Sequence, residues 1–265
     1  MGWALLLAIA VLQGLTEFLP VSSSGHLTVA AEVFDLGLWG RDREAFFVLL
    51  HGASLLAVLV GLAGAWRRHL ARGAIARTLA IGVLGSLPAA AAGLGLRAVH
   101  AEGLFESLPL VGVAWLATAG LLWSTARTTG RAGVDVFTAD ALPARIVLLV
   151  GVAQAVAIVP GISRSGATIA VALLLGVQRR VAFELSFLLA IPAIGGALLL
   201  DAGELTQVSA TAGPGALAAA FALALVVSLA ALKALGAVVE RERLHGFAPY
   251  CALAGLATLV FVAVR

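Results

Sequence analysis

Apolar residues in this chain fall in long unbroken stretches, not in the alternating or three-and-four spacing of a half-buried element. Six stretches, about 45–65, 78–96, 107–125, 183–200, 215–236 and 247–264, consist mainly of Ala, Leu, Val and Gly. A transmembrane helix needs roughly 20 apolar residues, so the pattern predicts six full spans. Paired glycines within them (Gly61 and Gly64, Gly93 and Gly95, Gly195 and Gly196) suit close helix packing in lipid. Two further stretches, about 3–38 and 146–177, are interrupted, the first from Pro20 to Gly25 and the second from Pro160 to Gly166. Non-helical backbone is tolerated at membrane depth only where protein or a cavity surrounds it. Both are therefore read as re-entrant helix–loop–helix hairpins, with a kinked full span as the alternative.

The polar positions repeat. Gln13, Ser22, Ser24 and Gly25 recur 141 residues later as Gln154, Ser163, Ser165 and Gly166. Glu44, Phe47 and Leu49 recur at an offset of 140 as Glu184, Phe187 and Leu189, as does Pro20 as Pro160. The expected architecture is one all-α membrane domain, 1–265, built from repeats at about 1–125 and 143–265. Each repeat holds one hairpin and three spans, and an odd number of crossings makes the second copy inverted. Charge sets the orientation. Arg67, Arg68, Arg72, Arg77, Arg127, Arg131, Arg145, Arg179, Arg180, Lys233, Arg241 and Arg243 fall on one side, and only Arg41, Arg43, Arg97 and Arg265 on the other. The cation-rich side is read as cytoplasmic. The first hairpin then enters from outside and the second from the cytoplasm, so their broken tips can meet near the midplane.

Composition agrees: 62% of residues are hydrophobic and 12% charged, far from the balance of a soluble domain. The net charge of +3 reflects arginines at helix ends, so the partners expected are membrane lipids and not nucleic acid. Cys251, the single cysteine, can form no internal disulfide. The N-terminal apolar stretch lacks a basic n-region and a clean cleavage site, so it is not read as a cleaved signal peptide.

Chemistry concentrates at the breaks. The first reads Q-G-L-T-E-F-L-P-V-S-S-S-G-H, Gln13 to His26. Glu17 is its one carboxylate, and an ionisable group within a membrane segment is a functional candidate by default. Gln13, four residues earlier, shares its helix face. Ser22, Ser23 and Ser24 can cap the helix expected to start at Gly25, and a helix N-terminus also binds phosphate. His26 adds a base near neutral pKa. The second break reads P-G-I-S-R-S-G-A-T, Pro160 to Thr168. Arg164 there needs an anion. A structural pair with Glu17 would supply one; a phosphate clamp, helped by Ser163, Ser165, Thr168 and the following helix N-terminus, would supply another. His51 reads as a core histidine, with a supporting place beside the first hairpin as the alternative, and Glu44 and Glu184 as acids favoured at helix N-termini.

These two motifs, at this separation in a hydrophobic chain of this length, closely resemble those of the undecaprenyl-diphosphate phosphatases of the bacitracin-resistance type. The resemblance runs over essentially the whole chain, including F-E-L-S-F-L-L-A-I-P from Phe183 to Pro192. It implies a hydrolase of the bacterial cytoplasmic membrane that removes the terminal phosphate of undecaprenyl diphosphate, at a site open to the outer face, recycling the lipid carrier for envelope polysaccharide synthesis. By position, the family's site falls on Glu17, Ser23, His26 and Arg164. Gln13, Ser22, Ser24, Gly25, Ser163, Ser165, Gly166 and Thr168 would surround the substrate. Where the family often has a glutamate, this chain has Gln13, so only Glu17 can ionise. The resemblance also implies a divalent cation, Mg or Ca, with Glu17 its one evident protein ligand.

The nucleophile stays open among Ser23 activated by Glu17 or His26, His26 itself, and a water; Ser23 with His26 as acid/base is preferred. The alternative function is a transporter or flippase for a polyprenyl phosphate, since inverted repeats with broken helices are a transporter architecture. A transporter would need Arg164 and polar donors but no nucleophile–base pair. The likeness of S-S-S-G-H to type 2 phosphatidic-acid phosphatases is set low, because the downstream histidine of that family is missing. Monomer and homodimer both remain open.

Overall fold

The computed structural model describes residues 3–34, 41–71, 75–99, 107–128, 143–201 and 213–265, with side chains for all of these except 34, 41–45 and 69–71. Readings that rest on Trp39, the side chains of Arg41, Arg43, Glu44 and His69, or on Arg72, His100 and Arg131, lie outside this set. Among the described residues the chain folds into eleven α-helices and no β-strand. Helices α1 (Trp3–Thr16) and α2 (Ser23–Phe34) flank the first break; α3 (Arg41–Gly61), α4 (Ala63–Ala71), α5 (Ile75–Ala98) and α6 (Leu108–Ser124) follow. Helices α7 (Ala144–Val156) and α8 (Arg164–Leu174) flank the second break, followed by α9 (Arg179–Leu200), α10 (Pro214–Glu240) and α11 (Ala248–Val264).

Among the described residues, five helical segments are long and apolar enough to cross a membrane: Ile75–Ala98, Leu108–Arg127, Arg179–Leu200, Pro214–Glu240 and Leu244–Val264. The stretch expected at 45–65 falls in α3, whose described apolar part is Phe46–Gly61. The helix stops at Gly61, and Arg67 and Arg68 follow in α4. Large apolar side chains face outward along the spans, among them Leu79, Val83 and Leu87 of α5 and Leu253, Leu256 and Val260 of α11. Exposed stripes of this kind would drive association in water but cost nothing in lipid. The chain is a multi-pass, all-α membrane protein.

The helices pack reciprocally between the two halves. Helix α1 lies along α10 and α7 along α5, while α10 also packs on α3 and α5 on α9. Small residues permit these approaches. A Cβ on Gly14 would meet the Ala224 carbonyl of α10 at 2.9 Å, and one on Gly151 would collide with the Gly85 carbonyl of α5. Helices α6 and α11 cross at Gly112 and Gly255, where a Cβ on either glycine would meet the other's carbonyl oxygen within 3.1 Å. Close backbone contact is how helices associate where lipid removes the hydrophobic drive. Ion pairs tie helix ends together. Arg97 at the end of α5 pairs with Asp201 at the end of α9, and Arg265 with Glu32. Arg68 and Arg180 both reach Glu184 at 3.0 Å, and Arg179 reaches Glu242 at 2.5 Å. Glu184 is thus held by two arginines.

Candidate active site

The two breaks are built alike. Helix α1 ends at Thr16, and the chain turns to Ser22, whose φ of 67° reverses its direction. Ser22 Oγ then accepts from the Gly25 amide at 3.3 Å, capping α2, which starts at Ser23 and not at Gly25. In the second break Gly161 takes a φ of 99°, and Ser163 Oγ caps α8 by accepting from the Gly166 amide at 3.1 Å. Each cap satisfies one amide that a helix start leaves without an intrahelical partner.

The breaks interlock. Ser22 Oγ also accepts from the Gly161 amide at 3.0 Å, and the Ser165 hydroxyl donates to the Phe18 carbonyl at 2.8 Å. A Cβ on Gly25 would press on Gly161 at 3.1 Å, and one on Gly166 on Pro20 at 3.1 Å. Gly25 faces the Gly161 backbone and Gly166 the Pro20 ring, and a side chain at either would crowd the other break. Helix α6 holds the pair: Trp115 Nε1 donates to the Val21 carbonyl at 2.7 Å, and the Thr118 hydroxyl donates to the Gly161 carbonyl at 2.9 Å. Beneath them Phe18 meets Phe187 of α9 edge to face, with centroids 5.4 Å apart.

This scaffold brings Glu17, Ser23, Gln13 and Arg164 to one point. Arg164 Nη2 donates to Glu17 Oε1 at 2.8 Å. Glu17 Oε2 accepts from the Ser23 hydroxyl at 2.7 Å and from Gln13 Nε2 at 3.1 Å. The Glu17 side chain is 8% exposed and that of Arg164 16%. At such burial each charge needs its partner: removing one side of a buried pair costs roughly 3–5 kcal/mol. The cluster retains unmet capacity. Arg164 Nη1 and Gln13 Oε1 are both buried without a hydrogen-bond partner. An unpaired guanidinium nitrogen beside a hydroxyl–carboxylate pair offers charge to an anion and an activated oxygen to its phosphorus.

His26 is placed differently. Its Nδ1 lies 2.7 Å from the Ser22 carbonyl and its Nε2 2.5 Å from the Tyr250 hydroxyl. Both ring nitrogens are engaged away from Ser23, whose hydroxyl bonds Glu17 instead. His51 is not a core histidine: it is partly exposed, with Nε2 3.8 Å from Glu17 Oε2. The residues read as surrounding the substrate divide into two groups. Ser22, Ser163, Ser165 and Thr168 are buried, and their hydroxyls bond within the protein; Thr168 Oγ1 meets Ser186 Oγ at 2.6 Å. Ser24 is exposed, with Oγ 3.3 Å from Ser22 Oγ. Tyr250, Trp115 and Thr118 carry no signal in the sequence, and Phe187 stands out there as the repeat partner of Phe47. Trp115 and Tyr250 sit in spans where an aromatic reads as packing or interface, and only the fold brings them to the break.

The described residues include no group of three His, Cys, Asp or Glu side chains that could hold a metal ion. Glu17 is the one carboxylate of the cluster, and the unpartnered Gln13 Oε1 is a hard oxygen donor close to it in sequence. Both Glu17 oxygens already accept from Arg164, Ser23 and Gln13, so a divalent cation here would take one or two protein oxygens and be completed by phosphate and water, as Mg commonly is.

Comparison with known proteins places the chain in a family. Residues 6–257 match the family model of bacitracin resistance protein BacA. An undecaprenyl-diphosphatase of Desulfosudis oleivorans is 41% identical, over 95% of each chain. One from Korarchaeum cryptofilum is 39% identical over 96% of this chain and 97% of its own, and one from Bacteroides fragilis 35% over 98% of each. A match over nearly the full length, with both breaks inside it, means that this chain belongs to the BacA bacitracin-resistance family.

Proposed function

We infer that this chain is an integral membrane phosphatase that hydrolyses undecaprenyl diphosphate to undecaprenyl phosphate and inorganic phosphate. Its relatives bear the name undecaprenyl-diphosphatase along their whole length. The single observation that carries the chemistry is the Ser23 hydroxyl donating to Glu17 at 2.7 Å beside Arg164, whose Nη1 has no partner. A transporter site needs the cation but has no use for a hydroxyl bonded to a carboxylate, so this contact favours catalysis.

The proposed reaction starts from that pair. Ser23 Oγ attacks the terminal phosphorus and gives its proton to Glu17 Oε2. The bond from that phosphorus to the bridging oxygen breaks, and undecaprenyl phosphate leaves with the electron pair. Water then attacks the phosphoserine, Ser23 recovers a proton, and inorganic phosphate departs. Phosphoryl transfer depends chiefly on positioning and on charge neutralisation. Arg164 supplies both, with Nη2 holding Glu17 and Nη1 meeting a phosphate oxygen. A divalent cation held by Glu17 and Gln13 would add neutralisation of the diphosphate when bound. This reading assigns the proton of Ser23 to Glu17 in place of His26, because Glu17 is the group bonded to Ser23.

We also read the chain as an inverted repeat of six crossings and two re-entrant hairpins in the bacterial cytoplasmic membrane, with the site open to the outer face. The reciprocal packing of α1 on α10 and α7 on α5 supports the repeat. The ion pairs support the alternation: Arg97, Asp201, Glu32 and Arg265 all fall at expected outer ends, and Arg68, Arg179, Arg180, Glu184 and Glu242 at expected inner ends. In a Cys251→Ala background, a membrane-impermeant thiol reagent should label Val99→Cys from outside and Arg145→Cys only after permeabilisation. The opposite pattern would invert the orientation. The function itself is tested by phosphate release from undecaprenyl diphosphate by purified protein in detergent. Release that persists in Ser23→Ala at the wild-type rate would remove Ser23 as nucleophile.

A further inference from the structure

We propose that Tyr250 is a positioning residue for this reaction: it holds His26 beside the first break and fixes the tautomer of its ring. The proposal rests on the phosphatase reading above and extends it to a residue on the last helix.

The argument starts from hydrogen-bond direction. Ser22 O is a carbonyl and can only accept, so His26 Nδ1 at 2.7 Å must carry a proton and donate it. In the neutral ring the lone pair then lies on Nε2, since the bond made by one ring nitrogen decides the state of the other. Nε2 faces the Tyr250 hydroxyl at 2.5 Å, and Tyr250 donates to it. The two rings are nearly parallel, 10° apart. Trp115 closes the other side, meeting His26 edge to face with centroids 5.0 Å apart. The imidazole therefore has one open lone pair, and that lone pair is directed at one hydroxyl.

The fold holds Tyr250 there. It lies in the first turn of α11, just after Pro249. The next residue, Cys251, is fully buried and its thiol donates to the Pro20 carbonyl at 3.4 Å. One helical turn is thus tied to the first break on both sides of the serine run, at Pro20 and at His26. This arrangement also accounts for a histidine in the serine motif that makes no bond to Ser23 or Glu17.

The test compares Tyr250→Phe with wild type on undecaprenyl diphosphate in detergent. The phenylalanine keeps the ring and its packing and removes only the hydroxyl. The turnover number should fall on the order of 10- to 100-fold, as it does when bound histidines lose an orienting partner, with KM changed less than about twofold, the pattern of a group needed in the transition state and not for ground-state binding. In a His26→Gln background the same change should cost nothing further, since Tyr250 acts through His26. A second readout does not depend on turnover. Tyr250 is the only tyrosine of the chain, so 13Cζ-tyrosine labelling gives one resonance without assignment. That resonance should shift between wild type and His26→Gln and stay in place in His51→Gln. A Tyr250→Phe variant with wild-type turnover, additive losses in the double variant, or a resonance indifferent to His26 would each overturn the proposal. A wild-type protein that releases no phosphate would instead sink the phosphatase reading, and the tyrosine resonance alone would then decide whether Tyr250 holds His26.

Discussion

The first and second breaks share a scaffold and differ in their chemistry. At the common offset of 141, Ser22, Ser24 and Gly25 match Ser163, Ser165 and Gly166. These matched residues do matched work. The capping bonds are 3.3 and 3.1 Å, and the two hydroxyl–hydroxyl contacts, Ser22 with Ser24 and Ser163 with Ser165, are both 3.3 Å. Gly25 presses on Gly161 while Gly166 presses on Pro20, again equivalent positions. Apart from Gln13, matched by Gln154, the residues of the reactive cluster are unmatched. Ser23 stands opposite Arg164, Glu17 opposite Ile158 and His26 opposite Ala167. One copy carries the hydroxyl, the carboxylate and the imidazole, and the other carries the cation. Repetition built the frame, and its departures from symmetry fill it.

The sharpest way to break this comparison is at the unmatched positions. Ser23→Ala and Glu17→Gln should each lower the turnover number by about 10²–10⁴-fold, the range for losing a positioned proton acceptor or the group it activates. Steady-state phosphate release, with folding checked by size-exclusion profile, measures this; a loss under tenfold in both would remove the pair from the chemistry. Arg164→Ala should follow at about 10²–10³-fold, the scale of one lost transition-state donor. It should also destabilise the protein by unpairing Glu17, so Arg164→Lys, which keeps the charge but not the fork, separates the two effects and should fall between wild type and Arg164→Ala.

Metal removal sharpens the role of Gln13. Chelation should abolish most turnover, and Mg or Ca should restore it. Gln13→Ala should require more of the ion for half-restoration, and full activity in excess chelator would exclude the cation. The smallest effects belong to matched residues outside the cluster. Ser163→Ala should cost about 0.5–2 kcal/mol of stability, the value of a lost helix cap, read as a lower thermal midpoint, with turnover per folded molecule close to wild type. Ser24→Ala, at an exposed position, should change neither.

Much of this was legible in the sequence, for physical reasons. Long apolar runs have one stable environment, so the membrane class, the helices near 78–96, 107–125, 183–200, 215–236 and 247–264, and both polar breaks followed from pattern alone. The stretch near 45–65 coincides with α3 over its described apolar part, Phe46–Gly61. Arg164 and Glu17 stood out because charges are rare in such a chain. The partnerships were not legible. That Ser23 bonds Glu17 and leaves His26 to Tyr250 depends on a φ of 67° at Ser22, a conformation not written in any local preference of serine. Tyr250 is 224 residues from His26, and only the packing of α11 on α6 joins them.

The central claim is that the two breaks form one composite site, with the nucleophile on the first and the anion clamp on the second. Its most direct test is the initial rate of phosphate release from undecaprenyl diphosphate by purified Arg164→Ala protein that elutes as folded. The composite site predicts a rate about 10²–10³-fold below wild type. A rate within threefold of wild type would mean that the second break takes no part in the reaction.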